Sequence, residues 1–365
     1  MSIFHFNGFL LVCFVVATVP DVLVLGSSGI MFPESIGFPK PPTAKCFYNK
    51  ARVVLVARCS DLKLKEIPLN LKTDIQVLDF TNNGVPTLEN DSLYPYKKLA
   101  YIYLARNFIR KIDEAAFANQ HYLEVLELAT NRFRTLPKSL FQMPYLRTLY
   151  LDDNLLTDSV FKMKVTSPLR LLQLAKNELT MIPNIGVQPT LLDLNVSNNN
   201  ITSISTEDLA PFCSLKELDL TGNNINFKAD SCDCQTFNAW VELRKIKMKS
   251  DNLYNCIDPP TTLHKDCTNV KFSNRTYELF NECSAMIQHK IKTEKARSVW
   301  IYVASSISVF LFVVFVALFC VHKRNRTQRK NQKEQQQQTA NNDNTELLQQ
   351  QPDGNLISEI TANST

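Results

Sequence analysis

One arrangement of apolar and polar positions governs the chain from Ile75 to Ile225: apolar, two variable residues, apolar, variable, apolar, two variable, asparagine, variable, apolar. It returns seven times, starting at Ile75, Leu99, Leu123, Leu146, Leu169, Leu191 and Leu215. Its ninth place is always asparagine: Asn83, Asn107, Asn131, Asn154, Asn177, Asn199 and Asn223, spaced 24, 24, 23, 23, 22 and 24 residues apart. A fixed period of that length marks stacked repeats rather than a single globule. Within each copy the alternation seen in Leu126, Glu127, Leu128 or Leu218, Asp219, Leu220 predicts a short strand with one buried face. Such a strand holds only beside neighbours, so the copies must stack into a parallel sheet. The asparagine that follows can then bond backbone groups of the adjacent turn, which a buried loop otherwise leaves unpaired. A further apolar residue three places after the last one of the pattern (Leu88, Ile112, Leu136, Ile182, Ile204) closes the core from the opposite wall.

On these residues the chain resembles the extracellular leucine-rich-repeat proteins, over roughly residues 46–283. The resemblance implies an α/β-type solenoid: a horseshoe with a parallel inner β-sheet, disulfide caps at both ends, one transmembrane helix and a disordered tail. Repeat four departs from the pattern, with Ser159 at the outer apolar place and no Leu-Pro turn in Asp158–Ser167. Cys46 and Cys59, flanking Val53–Val56, resemble the family's N-terminal cap reduced to two cysteines. Cys232 and Cys234, followed by Phe237, Trp240, Cys256, Pro259-Pro260 and Cys283, resemble its C-terminal cap. That resemblance pairs Cys232 with Cys256 and Cys234 with Cys283, which leaves Cys213 and Cys267 for each other, although sequence alone does not fix connectivity. Zinc binding by the C-x-C group is the rival reading, disfavoured in an exported chain without paired histidines.

The compartment follows from two apolar runs. Residues 1–26 carry no Lys or Arg and an apolar run from Phe9 to Val19, which reads as a secretory signal. Val299–Val321 is free of charge and, at about 1.5 Å per residue, reaches the roughly 30 Å of a bilayer core. His322, Lys323, Arg324, Arg326, Arg329, Lys330 and Lys333 follow at once, as on a cytoplasmic flank. The expected order is signal peptide 1–26, lead segment 27–45, N-terminal cysteine cap 46–74, seven repeats 75–227, C-terminal cysteine cap 228–283, juxtamembrane stem 284–298, membrane span 299–321 and cytoplasmic tail 322–365, a single-pass type I protein at the plasma membrane. Eight of the ten cysteines then face the oxidising side, an even number; Cys13 falls in the signal and Cys320 in the span. Residues 322–365, rich in Gln and Asn and without Tyr, Phe or Trp, are expected to be disordered and to hold no signalling domain.

Chemistry enters only as binding. Three histidines of the exported part, His121, His264 and His289, stand in no metal or hydrolase spacing, and no phosphate-cradling glycine loop occurs. No enzyme, cofactor, metal or nucleic-acid partner is expected. An exposed inner wall would instead present one side chain per repeat at about 4.8 Å spacing. Its expected ligand-binding positions are Val77 and Asp79, Tyr101 and Tyr103, Val125 and Glu127, Thr148 and Tyr150, Leu171 and Gln173. Tyrosines amid apolar neighbours are what recognition surfaces use. Sequons place candidate glycans on Asn90, Asn195, Asn200 and Asn274, and a glycan on Asn195 would cover repeats six and seven. Arg244, Lys245, Lys247 and Lys249 form a basic run that reads first as a solvated face. The expected function is a cell-surface recognition protein, acting as adhesion molecule, co-receptor or ligand-binding subunit. It would take an extracellular or membrane protein ligand, with the bilayer contacted through Val299–Val321. The alternative is an auxiliary subunit of an ion channel, working through the span and the adjacent basic cluster.

Overall fold

The computed structural model describes residues 45–51, 53–228, 231–249, 253–256, 267 and 270–349. The expected signal peptide, with Cys13, and the lead segment up to residue 44 lie outside them, as do Pro259-Pro260 and residues 350–365. The described residues divide into two units, one up to Ile291 and one from Lys292 onward.

The first unit is a solenoid. A hairpin, β1 (Phe47–Ala51) and β2 (Val54–Arg58), opens it. The repeat strands follow in order: β3 (Val77–Asp79), β5 (Tyr101–Tyr103), β7 (Val125–Glu127), β8 (Thr148–Tyr150), β9 (Leu171–Gln173), β10 (Asp193–Asn195) and β11 (Glu217–Asp219). With β12 (Lys247–Met248) they make a ten-stranded sheet, antiparallel only between β1 and β2. On the opposite wall β4 (Thr87–Leu88) pairs with β6 (Lys111–Ile112) in parallel. One continuous core runs from Leu55 to Met248. It includes the outer-wall residues Leu88, Ile112, Ile182 and Ile204, with Leu136 packed against it. In repeat four a 3-10 turn, Asp158–Phe161, replaces the missing apolar place. There Phe161 turns into the core and meets the edge of Phe141 at 5.9 Å, so Ser159 stays outside.

The asparagines stack as a ladder. Asn131 shows why: its Oδ1 accepts from the amides of Asn107 (3.1 Å) and Ile109 (2.9 Å) in the preceding coil. Its Nδ2 donates back to the carbonyls of Leu104 (3.0 Å) and Leu128 (2.9 Å). Asn107, Asn154, Asn177, Asn199 and Asn223 donate in the same way. At each rung the residue just before the asparagine has positive φ, from Asn82 to Gly222, and this bend aims the amide inward. Gly222 is the one glycine among them; a Cβ there would stand 2.4 Å from Asn198 Oδ1.

The ends are sealed differently. At the start, Cys46–Cys59 ties the hairpin across the first strand pair. At the far end α1 (Thr206–Leu209) closes the sixth coil and α2 (Asp233–Arg244) buries Phe237, Trp240 and Val241 over the last one. The expected pairings in this cap are corrected. Cys213 bonds Cys283, Cys232 bonds Cys267 and Cys234 bonds Cys256. The reason lies in α3 (Asn274–Gln349), whose first turns pack Phe280 edge-on against Trp240 at 5.6 Å. That contact sets Cys283 beside Cys213 in the last outer turn, where Arg244 of α2 also bonds the Cys213 carbonyl at 3.1 Å. Cys234, in the first turn of α2, faces Cys256 beside the Phe227, Phe237 and Tyr254 rings.

In the second unit the described residues, 292–349, are the remainder of α3. This helix is long and apolar enough to cross a membrane, with a mean hydropathy of 2.7 in its most apolar window. It continues through the basic cluster to Gln349, into the segment expected to be a tail. Gln, Lys, Arg and Glu are all good helix formers, and a helix already nucleated by an apolar span extends into them at little cost.

The ladder yields the first prediction. Asn131→Ala orphans the amides of Asn107 and Ile109, while the carbonyls of Leu104 and Leu128 keep Asn107 and Asn154 as donors, and should cost about 2–4 kcal/mol; Asn154→Ala, whose Oδ1 has no protein donor, should cost about half as much. Denaturant unfolding of the two variants beside the parent measures this; equal losses would contradict it.

Candidate functional site

Register turns the repeat into columns. Val77, Tyr101, Val125, Thr148, Leu171, Asp193 and Glu217 are successive partners across the sheet, as are Asp79, Tyr103, Glu127, Tyr150, Gln173, Asn195 and Asp219. Between them in each strand lies the leucine or isoleucine that enters the core. The ten expected ligand-binding residues therefore do share one face. Two are not available on it: Val77 is 4% exposed and Thr148 7%. Each is a short side chain with larger neighbours in register, Tyr101 beside Val77, and Val125 and Leu171 on either side of Thr148. The other eight are half-buried. At the N-terminal end of this face Val56, Arg58, Val77, Asp79, Thr81 and Tyr103 line a shallow hollow of ≈ 160 Å³.

The tyrosines and carboxylates sit close enough to perturb one another. Burial, followed by the charges of Glu127 and Asp79 and the rings of Tyr101 and Tyr150, pushes the Tyr103 hydroxyl up to about 12. Burial also raises Tyr101 and Tyr150, with Glu124 and Glu127 adding to it. Glu127 is held above its ordinary 4.5 by burial first, then by Asp79 and Asp152, with Arg106 opposing. Asp152 and Asp193 are raised mainly by burial too. Asp219 goes the other way: burial pushes it up, but hydrogen bonds from Thr221 and Lys249 outweigh that and hold it low. Lys249 makes a 3.2 Å ion pair with Asp219.

Three residues outside the strands escape their alternation. Asp152 lies two residues beyond its strand, on the same side, and accepts from the Ala175 amide at 2.9 Å. Tyr122 and Tyr145 stand immediately before the first leucine of repeats three and four and stack at 6.5 Å between centroids, both exposed. The signal was present: two aromatic residues one repeat apart at a place that needs no apolar side chain. Of the sequon asparagines, Asn90, Asn200 and Asn274 are exposed, while Asn195 is half-buried on the central column, its Oδ1 accepting from the Ser197 amide at 3.0 Å. Among the described residues no group of three His, Cys, Asp or Glu is placed to hold a metal ion.

The leucine rich repeat family model matches residues 97–156 and 167–225, where the second to seventh coils lie. These two stretches of the chain are leucine-rich repeats. Its repeats align with biglycan of Homo sapiens, 29% identical over 228 residues, 54% of this chain and 60% of that protein. Tsukushi of Gallus gallus is 30% identical over 172 residues, 45% of this chain and 46% of that one. CD180 antigen of Mus musculus is 28% identical over 169 residues, 46% of this chain and 22% of that one. The chain thus spans about half the length of the first two of these curated relatives.

Glu127 gives a pH prediction. A carboxyl raised by folding binds more protons folded than unfolded; its contribution is favourable below about 4.5 and is lost as pH rises through the folded value. Glu127→Gln should therefore match the parent near pH 4 and melt about 2 °C higher at pH 7. Thermal unfolding at both pH values reads this out, and a variant less stable at pH 7 would refute it.

Proposed function

We propose that the chain is a cell-surface recognition protein that binds a protein ligand on the open face of its repeat sheet. On this reading residues 1–26 direct export, the span 299–321 holds the repeats outside in a type I orientation, and the ligand-bound form acts as adhesion molecule or co-receptor. The observation that carries it is the tyrosine cluster. Tyr101 and Tyr103 on β5 and Tyr150 two strands away on β8 are half-exposed, with Val125 on the strand between and Leu171 on the strand beyond. Tyr122 and Tyr145, ahead of β7 and β8, add an exposed stacked pair. Rigid aromatic rings with a polar tip give large contact area at small entropic cost, which is why such residues anchor interfaces. On this reading a partner in the same membrane carries the signalling.

A second reading has an observation of its own: α3 runs unbroken from the apolar span into Lys323, Arg324, Arg326, Arg329, Lys330 and Lys333. A helix of that kind suits an auxiliary channel subunit. Transfer of residues 292–349 to an unrelated ectodomain separates the two, because only the channel reading has gating travel with that segment.

Serine at Tyr101, Tyr103 and Tyr150 together is expected to lower capture of the ligand, or aggregation of cells displaying the full chain, by more than about tenfold at unchanged surface level. Unchanged capture at normal surface level would remove the open face as the binding surface.

A further inference from the structure

The open face is sorted by charge in a way that composition does not explain. Overall the chain has 40 Lys and Arg against 35 Asp and Glu. Yet three central columns of the seven coils hold six carboxylates, Asp79, Glu127, Asp152, Asp193, Glu217 and Asp219, and not one Lys or Arg. The third of these columns is the one two residues beyond the strands, from Thr81 through Asp152 to Thr221. Basic residues of the repeats stand on the flanking columns instead, as Arg147, Arg170 and Lys216 before the strands and Arg106 and Lys176 after them.

The two ends of this acidic stripe are answered from within the chain. Arg58 of β2 is the register partner of Asp79, Lys247 of β12 that of Glu217, and Lys249 pairs with Asp219. Its middle is not. None of the salt bridges among the described residues takes in Glu127, Asp152 or Asp193. Burial outweighs the more distant charges of Arg106 at Glu127 and of Lys249 at Asp152 and Asp193, and the proton affinity of all three is raised. No three of the carboxylates gather to hold a metal ion, so what answers them must bring spaced positive charges on one body.

We propose that the partner docks an extended, basic protein segment along the middle of the stripe, its Lys or Arg side chains set over Glu127, Asp152 and Asp193, with the rings of Tyr103 and Tyr150 on either side of Glu127. The inference rests on the open face being the binding surface. Coils three to six span about 14 Å at ~4.8 Å per strand, and three side chains on one face of an extended segment cover the same ~14 Å. Cationic groups gain there from carboxylates that desolvation has left unpaired, and from ring faces alongside. The basic flanks turn away a partner that is basic over its whole surface and favour one whose cationic ridge has acidic borders. An anionic polysaccharide meets repulsion along the entire stripe.

Full-length protein in zwitterionic nanodiscs, titrated with a fluorescent peptide of alternating arginine and serine and with its glutamate-serine counterpart, tests this. The arginine peptide should bind and the glutamate peptide should not. Glu127→Gln with Asp152→Asn should weaken the arginine peptide by about tenfold or more and flatten its salt dependence. Glu124→Gln with Asp153→Asn, on the flanks, should change it by less than about twofold. The proposal is overturned if the arginine peptide fails to bind at millimolar concentration, if the glutamate peptide binds as well, or if the central pair of substitutions leaves binding within about twofold of the parent. If the tyrosine variants abolish ligand capture while the central charge variants leave it intact, the open face stands as a binding surface and only the basic partner falls.

Discussion

The structure depends on one constraint, that the backbone turning out of each strand is buried and must find hydrogen bonds without regular secondary structure. Carbonyls such as those of Leu104 and Leu128 and amides such as that of Ile109 lie inside the solenoid, away from water. A carboxylate at that place would lack donors and a hydroxyl would be too short, whereas a carboxamide offers both a donor pair and an acceptor at the right reach. Each asparagine spans two coils, so the distance between coils and the length of each repeat are set together. The strands then fall into register, and the columns of the open face exist because the ladder does.

The same constraint decides what could be read from sequence. A residue needed once per coil recurs at a fixed interval, so the seven asparagines, the leucine core and the sheet stood out before any coordinates. The cap cysteines had no such repetition. Their pairing depends on where Phe280 and Trp240 meet, a contact made once and between segments far apart in the chain. Repeat four escaped for a related reason: Phe161 fills from two residues downstream what Ser159 vacates. On the open face, alternation located the columns but not the exposure within them. Whether Val77 or Thr148 reaches solvent depends on the size of its neighbours across the sheet, and a single repeat does not contain that information. Asp152, Tyr122 and Tyr145 lay outside the strand and so outside the alternation.

Both ends of the sheet need closing, since a bare edge strand and a bare apolar section would pair with other chains. The hairpin supplies an antiparallel edge at one end, and β12 with α2 covers the other. These caps also reach the open face. Arg58 and Lys249 arrive on cap segments rather than repeats, and each stands against the terminal carboxylate of the stripe. Closing the fold and balancing the charge of its ends are thus done by the same segments, and the balance stops where the caps stop.

That limit is what separates the middle of the face from the rest of the molecule. Core positions in every coil are filled by Leu, Ile or Phe with almost no exposure, so packing leaves them little freedom. Wall positions between them carry no such demand, and their side chains are set by something other than folding. Like charges two strands apart, about 10 Å, repel by roughly 1–2 kcal/mol at an effective dielectric near 20, so Asp79 and Glu127 oppose the fold rather than support it. A solenoid tolerates this because the ladder and core of each coil are independent of what its wall displays. Places where a sequence breaks its own local rules without structural return are where function is sought, and here they are Glu127 and the tyrosines of the neighbouring strands.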